Sequence, residues 1–128
     1  MPSIEVITEE RPDGIDRVAL SGEVDVASVE IVHSHLDAAF RRGTRWLMID
    51  LTALKFMDSS LLLAITRAVR RTRVVGGDVT LVCVDPNLCR IVEIYGLSRN
   101  VEVHETVEQA ARALRTRMLS RGRRNGES

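Results

Sequence analysis

Trp46-Leu47-Met48-Ile49-Asp50-Leu51 and, shortly after it, Lys55-Phe56-Met57-Asp58-Ser59-Ser60-Leu61-Leu62-Leu63 decide how the chain folds. The first run is short and almost continuously apolar, as expected of a strand covered on both faces. In the second, Leu62, Ile65, Val69 and Thr72 recur at helical spacing, and Arg67, Arg70, Arg71 and Arg73 fall mostly elsewhere on the wheel. The spacing predicts a helix over Ser59–Arg73 with Asp58 at its N-cap and both serines in its first turn. Free backbone N–H groups and the positive end of the helix dipole gather there, so a phosphate on either hydroxyl is well placed. Asp-Ser-Ser before an apolar helix is equally an ordinary capping solution, and local chemistry alone leaves both roles open.

Outward from this junction, strands and helices alternate. Ile4 to Thr8 and Arg17 to Ser21 read as two strands joined by a turn at Pro12-Asp13-Gly14. A helix from about Val26 to Arg41 carries Val29, Val32, Leu36, Ala39 and Phe40 on one face, and Gly43 suits its end. After the Ser59–Arg73 helix come a strand over Asp78–Val84 and a third helix opened by Pro86, carrying Leu88, Ile91, Val92 and Tyr95, and ended by Gly96. Asn100 to His104 reads as a short strand. Thr106-Val107-Glu108-Gln109 has capping-box spacing for a last helix, with Ala110, Ala113, Leu114 and Met118 on its buried side. The pattern predicts an α/β domain with a mixed sheet of about five strands and about four helices. It spans residues 3–118, followed over 119–128 by an Arg-rich tail expected to be disordered.

The composition narrows the function. Eighteen basic and eighteen acidic residues give a formal net charge of zero, which offers no electrostatic case for nucleic acid. The crowded Arg112, Arg115, Arg117, Arg121, Arg123 and Arg124 have no interleaved aromatics for stacking on bases. No apolar stretch approaches the roughly 20 residues of a membrane span, and the N-terminus lacks the pattern of a signal peptide, so a cytoplasmic location is expected. Cys83 and Cys89 fit buried reduced thiols, and with three scattered histidines they make no metal-ligand spacing. No cofactor is expected. Lys55 is the only lysine beside many arginines, as in a GC-rich bacterial genome.

Several chemistries fail on stated grounds. A Gly-rich phosphate loop ending in Lys-Ser or Lys-Thr is missing. Ser59 lacks the flanking glycines of a nucleophile elbow, and nothing in the topology aims His33, His35 or His104 at it. A phosphoacceptor receiver needs an acidic pair, an aspartate and a lysine after successive strands, and Lys55 is not so placed. The chain is therefore not expected to be an enzyme.

Phe56-Met57-Asp58-Ser59-Ser60 resembles the phosphorylation loop of STAS-domain proteins, the anti-sigma factor antagonists of sporulation and general-stress switches. Ser21-Gly22-Glu23-Val24-Asp25 is similar to that family's turn before the first helix, Gly76-Gly77 to its turn after the second, and Tyr95-Gly96-Leu97 to the end of its third. The resemblance implies a single STAS domain. It further implies an antagonist that binds a serine-kinase anti-sigma factor when unphosphorylated, releases a sigma factor, and is switched off by phosphorylation at Ser59 until a serine phosphatase restores it. Glu23, Asp25, Asp58, Ser60 and Leu61 would then form the partner-binding surface. Leu61 stands where the family usually has glycine, and either presents an apolar knob or turns inward. A small STAS subunit of an ABC-type lipid transporter and a scaffold that is never phosphorylated are the alternatives that keep this fold.

Overall fold

The computed structural model describes residues 4–126. Its strands are β1 (Ile4–Glu10), β2 (Asp16–Val24), β3 (Trp46–Met57), β4 (Asp78–Val82) and β5 (Glu102–His104). The helices are α1 (Val29–Arg41), α2 (Ser59–Val74), α3 (Pro86–Ile94) and α4 (Val107–Gly126), with a single 3-10 turn at Leu97–Arg99. The strands form one sheet in the order β1-β2-β3-β4-β5; β1 runs antiparallel to β2 and every other pair is parallel. This is the mixed five-stranded sheet with four helices that the alternation predicts.

Each parallel neighbour requires a crossover helix. The helices α1, α2 and α3 fill that role and pack on one face, where Val18, Leu20, Leu47, Ile49, Leu51, Val79 and Leu81 meet them. Helix α4 covers the opposite face through Ala110, Ala111 and Leu114, against Ile15, Met48 and Val82. The run 46–51 in β3 is apolar at nearly every position because both clusters claim it in alternation.

Strand β3 continues to Met57, beyond the expected end at Leu51. Only Trp46–Asp50 pair with β4; the remainder pairs with β2 alone, through two register shifts at Ala19/Ser21 and Gly22/Glu23. Gly22 has a φ of 89°, so the irregular pairing falls where a residue without Cβ tolerates it. Losing β4 as a neighbour and two shifts of register hide this half of the strand from pattern reading. By the same token, Ser21–Val24 are the end of β2 and not a turn. The turn is Asp25–Ser28, and α1 begins at Val29.

The C-terminus departs most from expectation. Gln109 N–H donates to Thr106 Oγ1 at 3.1 Å, as the capping-box spacing predicts, but Gln109 Oε1 accepts from Glu105 N–H and not from the cap residue. Ala111 takes the buried place expected of Ala113. Residues 119–126 continue α4. Arg121 donates to the carbonyls of Gly76 and Gly77 at 2.5 Å each, and its guanidinium lies over Trp46 at 5.3 Å. Arg117 reaches the buried Asp78 at 2.6 Å, which Arg73 also approaches at 3.4 Å. Arginines expected in solvent thus hold the helix to the start of β4. Residues 127–128 lie outside the described residues.

Candidate functional site

Parallel pairing of β2 and β3 brings two separate sequence motifs to one end of the sheet. Glu23 pairs with Phe56 and Val24 with Met57, and Asp58 N–H donates to Val24 O at 3.2 Å. The chain then leaves both strands on the same side, into Asp25 on one and Asp58-Ser59 on the other.

Asp58 is extended, with φ −113° and ψ −172°, and caps α2. Its Oδ1 accepts the Ser60 N–H at 2.9 Å and also the Ser60 hydroxyl. The Ser60 hydroxyl bond, helped by backbone N–H groups, holds the Asp58 carboxyl below the usual carboxylate range against the opposing effect of burial. Ser60 is half-buried and committed to this cap. Ser59, one residue earlier, is exposed at the first position of α2. Of the two hydroxyls, it is the one open to solvent.

Asp25 closes the turn that precedes α1, whose N-cap position is Ser28. Its Oδ1 accepts from Ala27 N–H and Ser28 N–H at 3.0 Å each, and Ser28 Oγ accepts from Asp25 N–H at 3.0 Å. The residue remains on the surface, as does Glu23. Five expected residues therefore share this end: Glu23, Asp25, Asp58, Ser59 and Ser60. Leu61 does not join them. It is 0% exposed, packed in the core beneath α2, and cannot touch a partner. At the third position of the helix its side chain falls on the stripe that faces the sheet, so the inward alternative is the correct one.

Three apolar side chains are also exposed at this end and are missing from the sequence reading of it. Phe56 is 47% exposed beside Glu23, Val26 75% exposed in the Asp25 turn, and Leu63 50% exposed on α2. Leu63 carries a legible signal, an apolar residue outside the stripe of Leu62, Ile65 and Val69. Phe56 carries none, because its exposure depends on the irregular β2–β3 pairing.

Among the described residues, no group of three or more His, Cys, Asp or Glu side chains is placed to hold a metal ion, and no helix is long and apolar enough to cross a membrane. Cys83 and Cys89 are free thiols. Burial, with the neighbouring Cys89 thiol, pushes Cys83 up to about 12.

Residues 7–110 match the family model of the STAS domain. The chain is similar to the anti-sigma F factor antagonist of Paenibacillus polymyxa, with 30% identity over 100 residues that make up 77% of this chain and 86% of that protein. Its fold is similar to that of an anti-sigma factor antagonist from Mycobacterium paratuberculosis, with a TM-score of 0.82 at 24% identity over 88% of this chain and 95% of the other. It is also similar to the Bacillus cell fate determinant SpoIIAA in its phosphorylated form, with a TM-score of 0.67 at 23% identity over 85% and 98% of the two chains.

Proposed function

The chain belongs to the STAS-domain family, and on that premise we propose that it is an anti-sigma factor antagonist switched by phosphorylation of Ser59. Unphosphorylated, it docks the Ser59 end of the sheet onto an anti-sigma factor that is also a serine kinase, and so frees a sigma factor. The kinase transfers the γ-phosphoryl group of ATP to Ser59 Oγ, with loss of the hydroxyl proton and release of ADP. A serine phosphatase reverses the modification by hydrolysis. The chain itself acts by binding and contributes no catalytic group.

One observation carries this reading: the exposed Ser59 sits at a helix N-terminus, at the same end of the sheet as Glu23, Asp25 and Asp58 and as the exposed Phe56, Val26 and Leu63. The apolar side chains supply contact area for a docked partner, and the carboxylates supply sign. A phosphoserine adds about 1.5–2 negative charges at neutral pH. In the free protein, the helix N-terminus tolerates that charge. In a docked interface the same charge must be desolvated beside three carboxylates, so it weakens the complex. Each tenfold loss of affinity needs only about 1.4 kcal/mol, so one modification suffices as a switch. The similarity to a phosphorylated SpoIIAA structure supports a fold of this kind accommodating the modification.

The test is to incubate the protein with ATP and the kinase-type anti-sigma factor of its own genome, then map phosphate by mass spectrometry. A single phosphate on Ser59, lost in Ser59→Ala, is expected. Phosphate on Ser60, or a bound kinase that leaves every serine unmodified, would overturn the proposal.

A further inference from the structure

The chain has two cysteines, and the fold makes neighbours of them. Cys83 directly follows β4, where its N–H donates to His104 O at 2.9 Å. Its side chain is buried in the cluster that also holds Leu88 and Val92 of α3. Cys89 is the fourth residue of α3, half-buried and packed against the same cluster. Its thiol donates to Cys83 O at 3.4 Å, across six positions of sequence.

The turn that sets this spacing is rigid. Asp85 Oδ1 accepts from Asn87 N–H at 2.8 Å, Pro86 fixes the first position of the helix, and Cys89 N–H donates to Asp85 O at 2.9 Å. Neither cysteine needs its sulfur for an ordinary structural role. A thiol is a weak donor, so it adds little to the Cys83 carbonyl, and burial asks only for a small apolar side chain. Two sulfurs side by side add one further capability, a bond between them. Rotating the Cys89 side chain from the carbonyl to the sulfur of the same residue is the movement that bond requires.

We propose that Cys83 and Cys89 form a redox site that closes to an intrachain disulfide when a peroxide reaches the half-buried Cys89. Burial holds Cys83 as the neutral thiol, which assigns the first attack to Cys89. With hydrogen peroxide, the Cys89 thiolate attacks one oxygen; the S–O bond forms, the O–O bond breaks, and hydroxide leaves to take a proton from solvent. The Cys83 sulfur then attacks the sulfur of the Cys89 sulfenic acid. The S–S bond forms, the S–O bond breaks, and hydroxide departs with the Cys83 proton as water. Two thiols thus lose two electrons and two protons, one peroxide becomes two waters, and a dithiol reductant reverses the change. The bond ties the end of β4 to the start of α3, and the proposal does not rest on the Ser59 switch.

The experiment exposes the folded full chain to a small excess of hydrogen peroxide, then alkylates remaining thiols with iodoacetamide in denaturant. Trypsin leaves both cysteines in one peptide, residues 74–90. That peptide should be about 2 Da lighter, unalkylated, and restored by dithiothreitol. Cys83→Ala should stop at the Cys89 sulfenic acid, trapped by dimedone, and Cys89→Ala should stay unmodified at the same dose. Equilibration with reduced and oxidised glutathione should give the pair an effective concentration at least tenfold higher in the folded chain than in urea. Two alkylated thiols after peroxide, a disulfide between two chains, or equal effective concentrations folded and unfolded would overturn the proposal.

Discussion

Asp58 does two things with one carboxylate: it caps α2, and it contributes charge beside Ser59. Removing it by Asp58→Ala deprives the Ser60 N–H and hydroxyl of their acceptor, and should cost about 1 kcal/mol in urea denaturation. The pH dependence has a definite sign. The folded carboxyl is held below its unfolded value of about 3.9, so its contribution is complete above that pH and is lost as pH falls through the lower folded value. The stability gap between wild type and Asp58→Ala should therefore be constant from pH 7 to about pH 5 and shrink below about pH 4. A gap that widens on acidification would contradict the cap. Capping at Asp58 was legible in the sequence because it depends on three adjacent residues. The inward turn of Leu61 was not settled there, since resemblance to a family with glycine at that place says nothing of where a leucine points. Leu61→Ala should cost about 2–5 kcal/mol as a buried large-to-small change. Binding per folded molecule should stay unchanged when corrected for the unfolded fraction.

At the scale of elements, the parallel β2–β3 pair creates the site by setting Glu23 and Asp25 next to Asp58 and Ser59. The existence of all nine strands and helices could be read from periodicity, since each is amphipathic or doubly buried. The bulged halves of β2 and β3 could not, because their side chains follow neither a two-residue nor a helical period. Strand β4 and helix α3 allow an independent check on packing. Cys83 is buried at the end of the β4 run and its thiol is pushed up to about 12, whereas Cys89 is partly exposed in the first turns of α3. Only the thiolate is nucleophilic, so iodoacetamide at pH 8 should label Cys89 alone, with Cys83 reacting after denaturation. Equal labelling of both in the native protein would mean that this end of the sheet opens.

For the whole molecule, α4 is the element the sequence located least completely. Its first turns follow an apolar period, but its second half is held by arginines that meet their carboxylate only in the folded chain. Asp78 is buried between Arg73, Arg117 and Arg121, and the Gly76-Gly77 turn offers its carbonyls to the last of these. Gly77 has no substitute there, since a Cβ would lie 1.6 Å from Arg45 O. Asp78→Ala strips the cluster of its buried carboxylate; discounting the partly exposed arginines, it should cost about 2 kcal/mol or more. Amide exchange should quicken in the second half of α4 while α2 is unaffected. A uniform loss over both helices would argue against a local clamp. The central claim also concerns the whole molecule: one phosphate at Ser59 changes what the protein binds without changing its fold. The direct measurement is titration calorimetry of wild type, Ser59→Ala and Ser59→Asp against the kinase-type anti-sigma factor of the same genome, with melting curves for all three. The account predicts tight binding by wild type and Ser59→Ala, loss of at least tenfold in affinity for Ser59→Asp, and closely similar melting temperatures. Equal binding by all three would make Ser59 a first-turn helix residue and nothing more, and would contradict the switch.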